Sequence, residues 1–340
     1  MEAIKPDSAL AAMLFSHGGN IAAARRLFPS APQPWVDLST GVNPFAYPVA
    51  SVTTRAFTAL PQPAELASLE AAAAKAWHVE DAGSIVAAPG TQTILQHLPH
   101  VLPARTIGVL GHTYAGHADA WRNAGRDVIR VENPDELEKF EVAVVVNPNN
   151  PDGRLVSLRA LTHIGAKLRA SGGILVVDEA FIEASAGAHS LAPFVKTCGA
   201  LVLRSFGKIY GLAGLRLGFA IAPADLAEQL RLAIGAWPVS GPAIEIAERA
   251  LADPDWIADT QVRLNGECAR LDAVLRAAGF EIIGGTLLFR LARHANAPQK
   301  FARLAALGVL ARPFADQLDS LRFGLPGNAE QWARLASALA

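Results

Sequence analysis

Short, uninterrupted apolar runs recur along the first two thirds of the chain, and glycine, proline or polar residues end each of them. The clearest runs are residues 85–88, 106–110, 142–146, 174–177 and 200–203. Runs of this length without polar alternation are typical of strands buried on both faces of a parallel sheet. The segment from Pro63 to Trp77 instead places Leu66, Leu69 and Ala73 at helical spacing. The pattern predicts an α/β fold.

The last third of the chain has a different pattern. From about residue 225, alanine- and leucine-rich helical segments dominate, with a break at residues 237–240. Residues 308–313 and 321–327 then have the character of strands in a smaller sheet. A chain of 340 residues is long enough for two domains. We predict an N-terminal segment over residues 1–44 that joins the small domain and the active site, a large domain over 45–225 and a small C-terminal domain over 226–340.

Composition narrows the classes of function. Hydrophobic residues make up 51% of the chain and charged residues 18%, which disfavours disorder. The net charge is −1, and no basic tract indicates a nucleic acid or an anionic membrane as a partner, so we expect small-molecule partners. No apolar stretch is long enough to span a bilayer, and residues 1–14 lack the pattern of a secretion signal. Cys198 and Cys268 lie far apart without a metal-binding spacing, which predicts a cytoplasmic protein without a disulfide framework or structural metal.

The glycine-rich segment from Ser205 to Gly218 carries the strongest chemical signal. It follows an apolar run and contains four glycines, Lys208 and Arg216. Glycines let the backbone approach a ligand, and a hydroxyl together with a guanidinium suits a phosphate. A lysine amine beside cations or in a dry pocket becomes a nucleophile that forms Schiff bases. These residues favour a site for an aldehyde that carries a phosphate.

Four other predicted strand ends are followed by groups suited to bind a ligand. They are Gly90, Thr91 and Gln92 after residues 85–88, Tyr114 after 106–110, Asn150 after 142–146, and Asp178 after 174–177. The first amides of a helix that begins after Gly90 attract anions. Because α/β proteins bind ligands beyond the carboxyl ends of their strands, we expect these groups to meet at one site. A dinucleotide fold is disfavoured, since no GxGxxG motif follows a first strand.

Residues 205–208 and 214–218, together with the turn Asn-Pro-Asn-Asn-Pro-Asp-Gly over residues 147–153, resemble the cofactor-binding segments of fold-type I pyridoxal-phosphate enzymes, the aminotransferase superfamily. The resemblance implies a large domain with a mostly parallel seven-stranded sheet between helices, plus a smaller α+β C-terminal domain. It also implies pyridoxal 5'-phosphate as the cofactor. The cofactor-binding set that it implies is Gly90, Thr91, Gln92, Tyr114, Asn150, Asp178, Ser205, Lys208 and Arg216.

The same resemblance implies catalytic roles for four of these residues. Lys208 would carry the cofactor, and Asp178 would keep the pyridine nitrogen protonated so that the ring accepts electrons. Asn150 would donate a hydrogen bond to the phenolic oxygen. Tyr114 would stack on the pyridine ring.

Two N-terminal stretches, residues 17–20 and 37–44, carry a narrower resemblance to the L-threonine-O-3-phosphate decarboxylase family of cobalamin biosynthesis. It runs from His17 to the C-terminus and is sparse after about residue 225. It implies decarboxylation of L-threonine O-3-phosphate to (R)-1-amino-2-propanol O-2-phosphate, with Arg322 at the substrate α-carboxylate. The substrate-binding residues that it implies are His17, Gly18, Gly19, Thr40, Gly41, Arg312 and Arg322.

Three positions depart from the superfamily pattern. Asp152 replaces a threonine at a turn position, where we expect little effect. Phe181 stands where many relatives have a tyrosine that bonds the phenolic oxygen, which leaves that oxygen to Asn150. Leu60 stands where relatives commonly carry a tyrosine donated across the dimer to the cofactor phosphate. Either another group replaces that tyrosine or fewer bonds hold the phosphate.

Two other functions fit parts of the pattern. An aminotransferase of the histidinol-phosphate type has a similar set of cofactor contacts. A non-catalytic pyridoxal-sensing domain of a transcription regulator is disfavoured, because a DNA-binding module precedes such domains and fewer than 20 residues precede His17. The family resemblance also implies a homodimer with shared active sites. His112 and His117 are not assigned as metal ligands, since nothing nearby in the sequence completes a metal set.

Overall fold

The computed structural model describes residues 9–49 and 51–340. Residues 1–8 of the predicted N-terminal segment and residue 50 of the predicted large domain lie outside the described residues. The helices are α1 (Ala9–Ser16), α2 (Ile21–Leu27), α3 (Thr54–Thr58), α4 (Pro63–Ala76), α5 (Thr91–Val101), α6 (Ala115–Asn123), α7 (Leu158–Ala170), α8 (Val195–Cys198), α9 (Phe206–Ile209), α10 (Ala224–Ile234), α11 (Gly241–Leu251), α12 (Pro254–Ala277), α13 (Ala297–Ala306) and α14 (Ala329–Leu339).

The strands alternate with these helices along most of the chain. They are β1 (Val36–Asp37), β2 (Ile85–Ala88), β3 (Thr106–Leu110), β4 (Asp127–Val131), β5 (Val142–Val146), β6 (Ile174–Asp178), β7 (Ala200–Ser205), β8 (Gly218–Ile221), β9 (Glu281–Thr286), β10 (Phe289–Arg293), β11 (Val309–Leu310), β12 (Arg312–Pro313) and β13 (Ser320–Gly324). Short 3-10 helices occupy Ala82–Ser84, Pro134–Lys139, Ile182–Ala184, Ala192–Phe194 and Ala213–Leu215.

The chain forms two compact units. The first combines the described residues up to Phe45 with Asp259–Ala340, and the second consists of Ala46–Ala258. Helices α10 and α11 lie in the second unit, whereas the sequence analysis assigned residues 226–258 to the C-terminal domain. Among the described residues, no helix combines the length and the apolar character needed to cross a membrane.

The second unit is built on a seven-stranded sheet with the order β2-β8-β7-β6-β5-β3-β4. Strand β8 is antiparallel to β2 and β7, and all other neighbouring strands are parallel. The predicted mostly parallel seven-stranded sheet is therefore confirmed. Because β3, β5, β6 and β7 run in the same direction, the residues that follow them lie along one edge of the sheet.

The core of the second unit explains why the apolar runs lack alternation. Every residue of β5 is buried, and Val144, Val176 and Leu201 are completely inaccessible to solvent. Helix α5 adds Ile94 and Leu98 to the same core cluster. Each large apolar side chain buried in this way contributes about 1.5–3 kcal/mol to stability. The buried strands thereby form a rigid support for the segments that follow their carboxyl ends.

The first unit contains a four-stranded antiparallel sheet with the order β12-β13-β10-β9 and a two-stranded parallel pair, β1 with β11. The predicted smaller sheet is therefore confirmed. The segment after β1 continues alongside β13, because the Gly324 amide donates to the Leu38 carbonyl over 2.7 Å. A side chain at Gly324 would collide with the Thr40 carbonyl. This close approach fixes residues 38–41 against the strand that contains Arg322.

Candidate active site

The turn between β2 and α5 brings a glycine, a helix N-terminus and a guanidinium together. Gly90 has a φ of +82° and precedes the first residue of α5. A Cβ placed on Gly90 would lie only 2.8 Å from Nη2 of Arg216, so the glycine makes room for this guanidinium. The first amides of a helix lack intrahelical acceptors and carry partial positive charge. The turn therefore has the chemistry of a phosphate site.

Tyr114 stands beside this turn, in a position that two neighbours control. Its hydroxyl donates to Oε1 of Gln92 over 2.9 Å. A Cβ on Gly116 would lie 2.5 Å from Cε1 of the tyrosine ring, so glycine at that position lets the ring lie where it does. Gly116 was not singled out in the sequence, because its role is only to be small.

Asp178, the last residue of β6, is buried and accepts two hydrogen bonds. Its Oδ1 accepts from the Ala180 amide over 3.0 Å, and its Oδ2 lies 2.8 Å from Nε2 of His117. His117 is completely buried, and its Nδ1 has no hydrogen-bond partner among the described residues. Because an ionised carboxylate can only accept, Nε2 is the nitrogen that carries the proton. His117 thus orients Asp178, a role that the sequence analysis missed.

The turn after β5 is closed by its own side chains. Asn149 donates from Nδ2 to the His112 carbonyl over 2.9 Å and to Oδ1 of Asp152 over 2.7 Å. The Asp152 carboxylate also accepts from the Arg154 amide over 3.0 Å. Asp152 therefore has a defined part in the turn that presents Asn150 to the cavity.

Lys208 lies in α9, directly after β7, with its Nζ 5.4 Å from the centroid of the Phe181 ring. A stack of aromatic rings supports this segment from Phe206 through Tyr210 to Trp256, with centroid separations of 4.3 and 5.7 Å. Burial raises the pKa of Tyr210 above its ordinary value, so its hydroxyl stays neutral. The stack fixes the short helix on both sides of Lys208.

A buried ionic cluster joins the segment that follows β6 to strand β7. Arg204 contacts Glu183, and its Nη1 lies 3.2 Å from Oε2 of Glu179. Glu179 also accepts from the Ser190 hydroxyl over 2.5 Å and from the Leu191 amide over 2.6 Å. Burial raises the pKa of Glu179, whereas the charge of Arg204 opposes this shift. Glu179 is therefore part of the scaffold that supports the site.

These groups surround one cavity of about 190 Å³ in the second unit. All nine residues of the predicted cofactor set line it: Gly90, Thr91, Gln92, Tyr114, Asn150, Asp178, Ser205, Lys208 and Arg216. The donor set fits pyridoxal phosphate, because it combines a cradle for an anion, an amine for an aldehyde and a buried carboxylate for a cationic ring nitrogen. The glycine cradle at Arg216, which any Cβ would fill, is the structural feature that carries this fit.

In the first unit, Arg322 is the centre of a second group of polar residues. It is buried on β13, and its Nη2 donates to the Ser39 carbonyl over 2.8 Å. Burial, together with the positive charge of Arg312, lowers the pKa of Arg322 to about 9, and the negative charge of Asp37 opposes this shift. A desolvated guanidinium gains more from an anionic ligand than an exposed one does.

Ser39 connects this arginine to the His17 segment. Its hydroxyl donates to Oδ1 of Asp37 over 2.5 Å and accepts from the Gly19 amide over 2.7 Å. A Cβ on Gly18 would collide with the Ser39 carbonyl. Ser39 was missed in the sequence because its hydroxyl and carbonyl contact residues that are distant along the chain. The amide of Gly19, one of the predicted substrate-binding residues, therefore donates within the fold.

Arg312 holds the C-terminus of α1. Its guanidinium donates to the carbonyls of Leu14, Phe15 and Ser16 over 2.7, 2.9 and 2.8 Å. Basic side chains commonly bind the last carbonyls of a helix in this way. Arg312 thereby fixes the end of α1, which directly precedes His17. Its predicted role as an anion ligand stays a prediction.

The other predicted substrate residues lie in the same unit. His17 is exposed, Thr40 is half-buried and Gly41 is buried. Leu60, in the second unit, has 60% of its surface exposed. Among the described residues, no three His, Cys, Asp or Glu side chains are close enough to hold a metal ion.

Comparison with known proteins identifies relatives over nearly the whole chain. Residues 33–339 match the family "Aminotransferase class I and II". The chain is 38% identical over 329 residues to a threonine-phosphate decarboxylase of Pseudomonas aeruginosa, covering 96% of this chain and 97% of the relative. It is 38% identical over 336 residues to a threonine-phosphate decarboxylase of a Sinorhizobium species, covering 95% and 97%.

A solved structure has the same fold. The histidinol-phosphate aminotransferase of Sinorhizobium meliloti, in complex with pyridoxal-5'-phosphate, superposes with a TM-score of 0.79, covers 100% of this chain and 98% of its own, and is 18% identical. This likeness shows the fold-type I architecture, and the predicted fold class is confirmed.

Proposed function

The chain belongs to the class I and II aminotransferase family, and we propose that within this family it is a pyridoxal-phosphate-dependent lyase that decarboxylates L-threonine O-3-phosphate. The product is (R)-1-amino-2-propanol O-2-phosphate together with carbon dioxide. The observation that carries the proposal is the 38% identity to two threonine-phosphate decarboxylases over at least 95% of this chain. The proposal places the enzyme in cobalamin biosynthesis.

The residues around the cavity account for cofactor binding. Gly90, the first turn of α5 and Arg216 hold the cofactor phosphate. Lys208 would hold the cofactor through its aldehyde, and the substrate amine would take the place of the lysine amine, which leaves. When bound, the cofactor supplies an electron sink for the pair released as the carboxylate leaves. Asp178 would keep the pyridine nitrogen protonated, since a buried carboxylate in this cavity favours the charged form of a neighbouring base.

The reaction outcome depends on how the substrate is oriented. Loss of carbon dioxide requires the Cα–carboxylate bond to stand perpendicular to the pyridine ring, whereas transamination requires the Cα–H bond there. Arg322 is the buried cation that we assign to the substrate carboxylate. His17, the Gly18 amide and the Thr40-Gly41 segment are assigned to the substrate phosphate and carboxylate, with Arg322. After decarboxylation the Lys208 amine returns a proton to Cα.

Two matched assays on purified holoenzyme test the proposal. L-threonine O-3-phosphate is scored for carbon dioxide, and histidinol phosphate with 2-oxoglutarate is scored for glutamate. We expect carbon dioxide without any keto-acid requirement. Lys208→Ala serves as the control, and it should lose both turnover and the visible absorbance of the lysine-bound cofactor. Formation of glutamate without carbon dioxide would contradict the decarboxylase proposal and would indicate an aminotransferase of the histidinol-phosphate type.

The alternative function, an aminotransferase of the histidinol-phosphate type, is supported only by similarity of fold. The solved histidinol-phosphate aminotransferase is 18% identical to this chain. Structural similarity at that level of identity shows a shared fold and not a shared reaction. The same set of cofactor-binding residues serves either reaction. The decarboxylase is therefore favoured by the two relatives with higher identity.

We further propose a cytoplasmic homodimer with shared active sites. The two cysteines are free and buried, which is consistent with a reducing compartment. Light scattering coupled to gel filtration tests the dimer directly. A chain that is monomeric and fully active at assay concentration would contradict it.

A further inference from the structure

Gln92 has a side chain whose two ends have opposite hydrogen-bonding character, and it lines the cofactor cavity. It is the second residue of α5, so its side chain extends from the first turn of the helix that begins after Gly90. Its Oε1 accepts the hydrogen bond from the Tyr114 hydroxyl. The amide end therefore remains for a second partner.

The chemistry of that second partner can be inferred. A carboxamide offers two donors on Nε2 and only acceptor sites on Oε1. Because Oε1 accepts from the Tyr114 hydroxyl, the remaining hydrogen bonds of the carboxamide are those that Nε2 donates, and their partner must be an acceptor. The nearby anion cradle, which Gly90 and Arg216 form, is suited to a phosphate, whose ionised oxygens are acceptors.

We propose that the Gln92 carboxamide donates from Nε2 to the cofactor phosphate and at the same time fixes the Tyr114 ring through Oε1. This inference rests on the proposed function only in taking pyridoxal phosphate as the cofactor. A carboxamide turned by 180° would present its oxygen to the phosphate and repel it. The Tyr114 hydroxyl can donate or accept, so it is compatible with this orientation, and the phosphate is the partner that selects it. Gln92 is a binding residue through this side chain, in addition to its backbone amide.

The coupling has a consequence for Tyr114. The tyrosine hydroxyl already holds the carboxamide by its oxygen, and cofactor phosphate adds a second, charge-assisted restraint at its nitrogen. Removal of the hydroxyl should consequently weaken phosphate binding even though the tyrosine ring remains. The effect of Tyr114→Phe on phosphate binding should depend on whether Gln92 is present.

The test compares two cofactor probes on the apo protein. Pyridoxal 5'-phosphate and pyridoxal share the ring and the aldehyde, and only the first carries the phosphate. Gln92→Glu keeps an acceptor for the Tyr114 hydroxyl but replaces the donor end by a negative charge. We expect this variant to weaken pyridoxal phosphate binding about 10- to 100-fold, the range for a lost hydrogen bond to a charged group. Pyridoxal binding should change less than about threefold. Equilibrium dialysis and the absorbance of the bound cofactor measure both constants.

Controls separate this role from a general disturbance. Circular dichroism and thermal unfolding of the apo variants establish that each one folds. Tyr114→Phe should weaken pyridoxal phosphate several-fold, and in the Gln92→Glu background it should add less than it does alone. Equal losses for pyridoxal and pyridoxal phosphate in Gln92→Glu, or no loss for either, would overturn the proposal. Failure of the wild-type protein to bind pyridoxal phosphate would instead contradict the proposed function.

Discussion

At the scale of single residues, the contact between His117 and Asp178 is the clearest example of one side chain acting through another. Asp178 is assigned to the cofactor ring, and His117 determines which direction its carboxylate faces. The histidine is completely buried and holds one of the two carboxylate oxygens. Without it, Asp178 would keep the bond from the Ala180 amide but lose the restraint on Oδ2.

We expect His117→Ala to lower the rate of carbon dioxide release about 10- to 100-fold, because a hydrogen bond to a buried charged group is lost. The pH titration of the cofactor absorbance should shift as well, which a merely structural change would not produce. His117→Gln retains a donor and should recover part of the rate. His163→Ala, at an exposed histidine in α7, is the control and should change the rate less than about threefold. Identical spectra and rates for His117→Ala and wild type would contradict the role.

Arg322 gives a prediction about pH. Burial lowers its pKa to about 9, so the guanidinium loses its proton as the pH rises through that value. Anion binding needs the protonated form. Protonation of Arg322 should therefore leave the KM for L-threonine O-3-phosphate constant from about pH 7 to 8.5. Above about pH 9 the KM should rise, approaching tenfold per pH unit.

The control for this pH effect is Arg322→Gln. It should have a raised KM at about pH 7 and should lack the additional rise above about pH 9. Steady-state kinetics across the same pH range, with kcat and KM separated, give the answer. A wild-type KM that stays constant across this pH range would contradict the assignment of Arg322 to the substrate carboxylate.

At the scale of elements, the β2–α5 turn depends on Gly90 for two separate reasons. Its φ of 82° with a ψ of 157° costs any other residue on the order of 1–3 kcal/mol, and a Cβ would also displace Arg216. Gly172 has a φ of +79°, and a Cβ added there would meet no atom within 4 Å, so it shares only the first reason. Both Gly90→Ala and Gly172→Ala should lose stability in thermal unfolding, and Gly90→Ala should lose at least as much as Gly172→Ala. Only Gly90→Ala should weaken pyridoxal phosphate binding, by about tenfold or more. Equal cofactor affinity in the two variants would contradict the cradle.

The elements also explain what sequence could and could not predict. Strands β5 and β6 were predictable because strands buried on both faces are continuous apolar runs. Strand β8 was missed, since it has only four residues and its first, Gly218, is the last residue of the glycine-rich segment. Strand β4 was missed because it is an exposed edge strand with polar residues. Most of the cofactor-lining residues were found because they lie at or just after the carboxyl end of a strand, within segments that resemble family motifs. His117 and Ser39 instead act through contacts between segments that are distant in sequence.

At the scale of the whole molecule, each unit contains one buried cysteine: Cys198 lies in the second unit and Cys268 in the first. Burial raises the pKa of both thiols, that of Cys268 to about 11. Both are therefore protonated and inaccessible in the folded protein at about pH 8, and neither should react with a disulfide reagent until its own unit opens. The favourable contribution of Cys268 to stability is present below its unfolded pKa of about 8.5 and is lost as the pH rises through about 11.

This placement allows the two units to be followed separately. In Cys268→Ala, the remaining thiol reports the second unit, where every residue that lines the cofactor cavity lies. Saturating pyridoxal phosphate should slow labelling of Cys198 by a factor that rises as one plus the ratio of ligand concentration to Kd, since the ligand binds only the folded unit. The same protection should fall sharply in Lys208→Ala. In Cys198→Ala, protection of Cys268 measures how strongly the first unit is coupled to the second. Labelling of Cys198 at the same rate with and without the cofactor would contradict cofactor binding by the second unit.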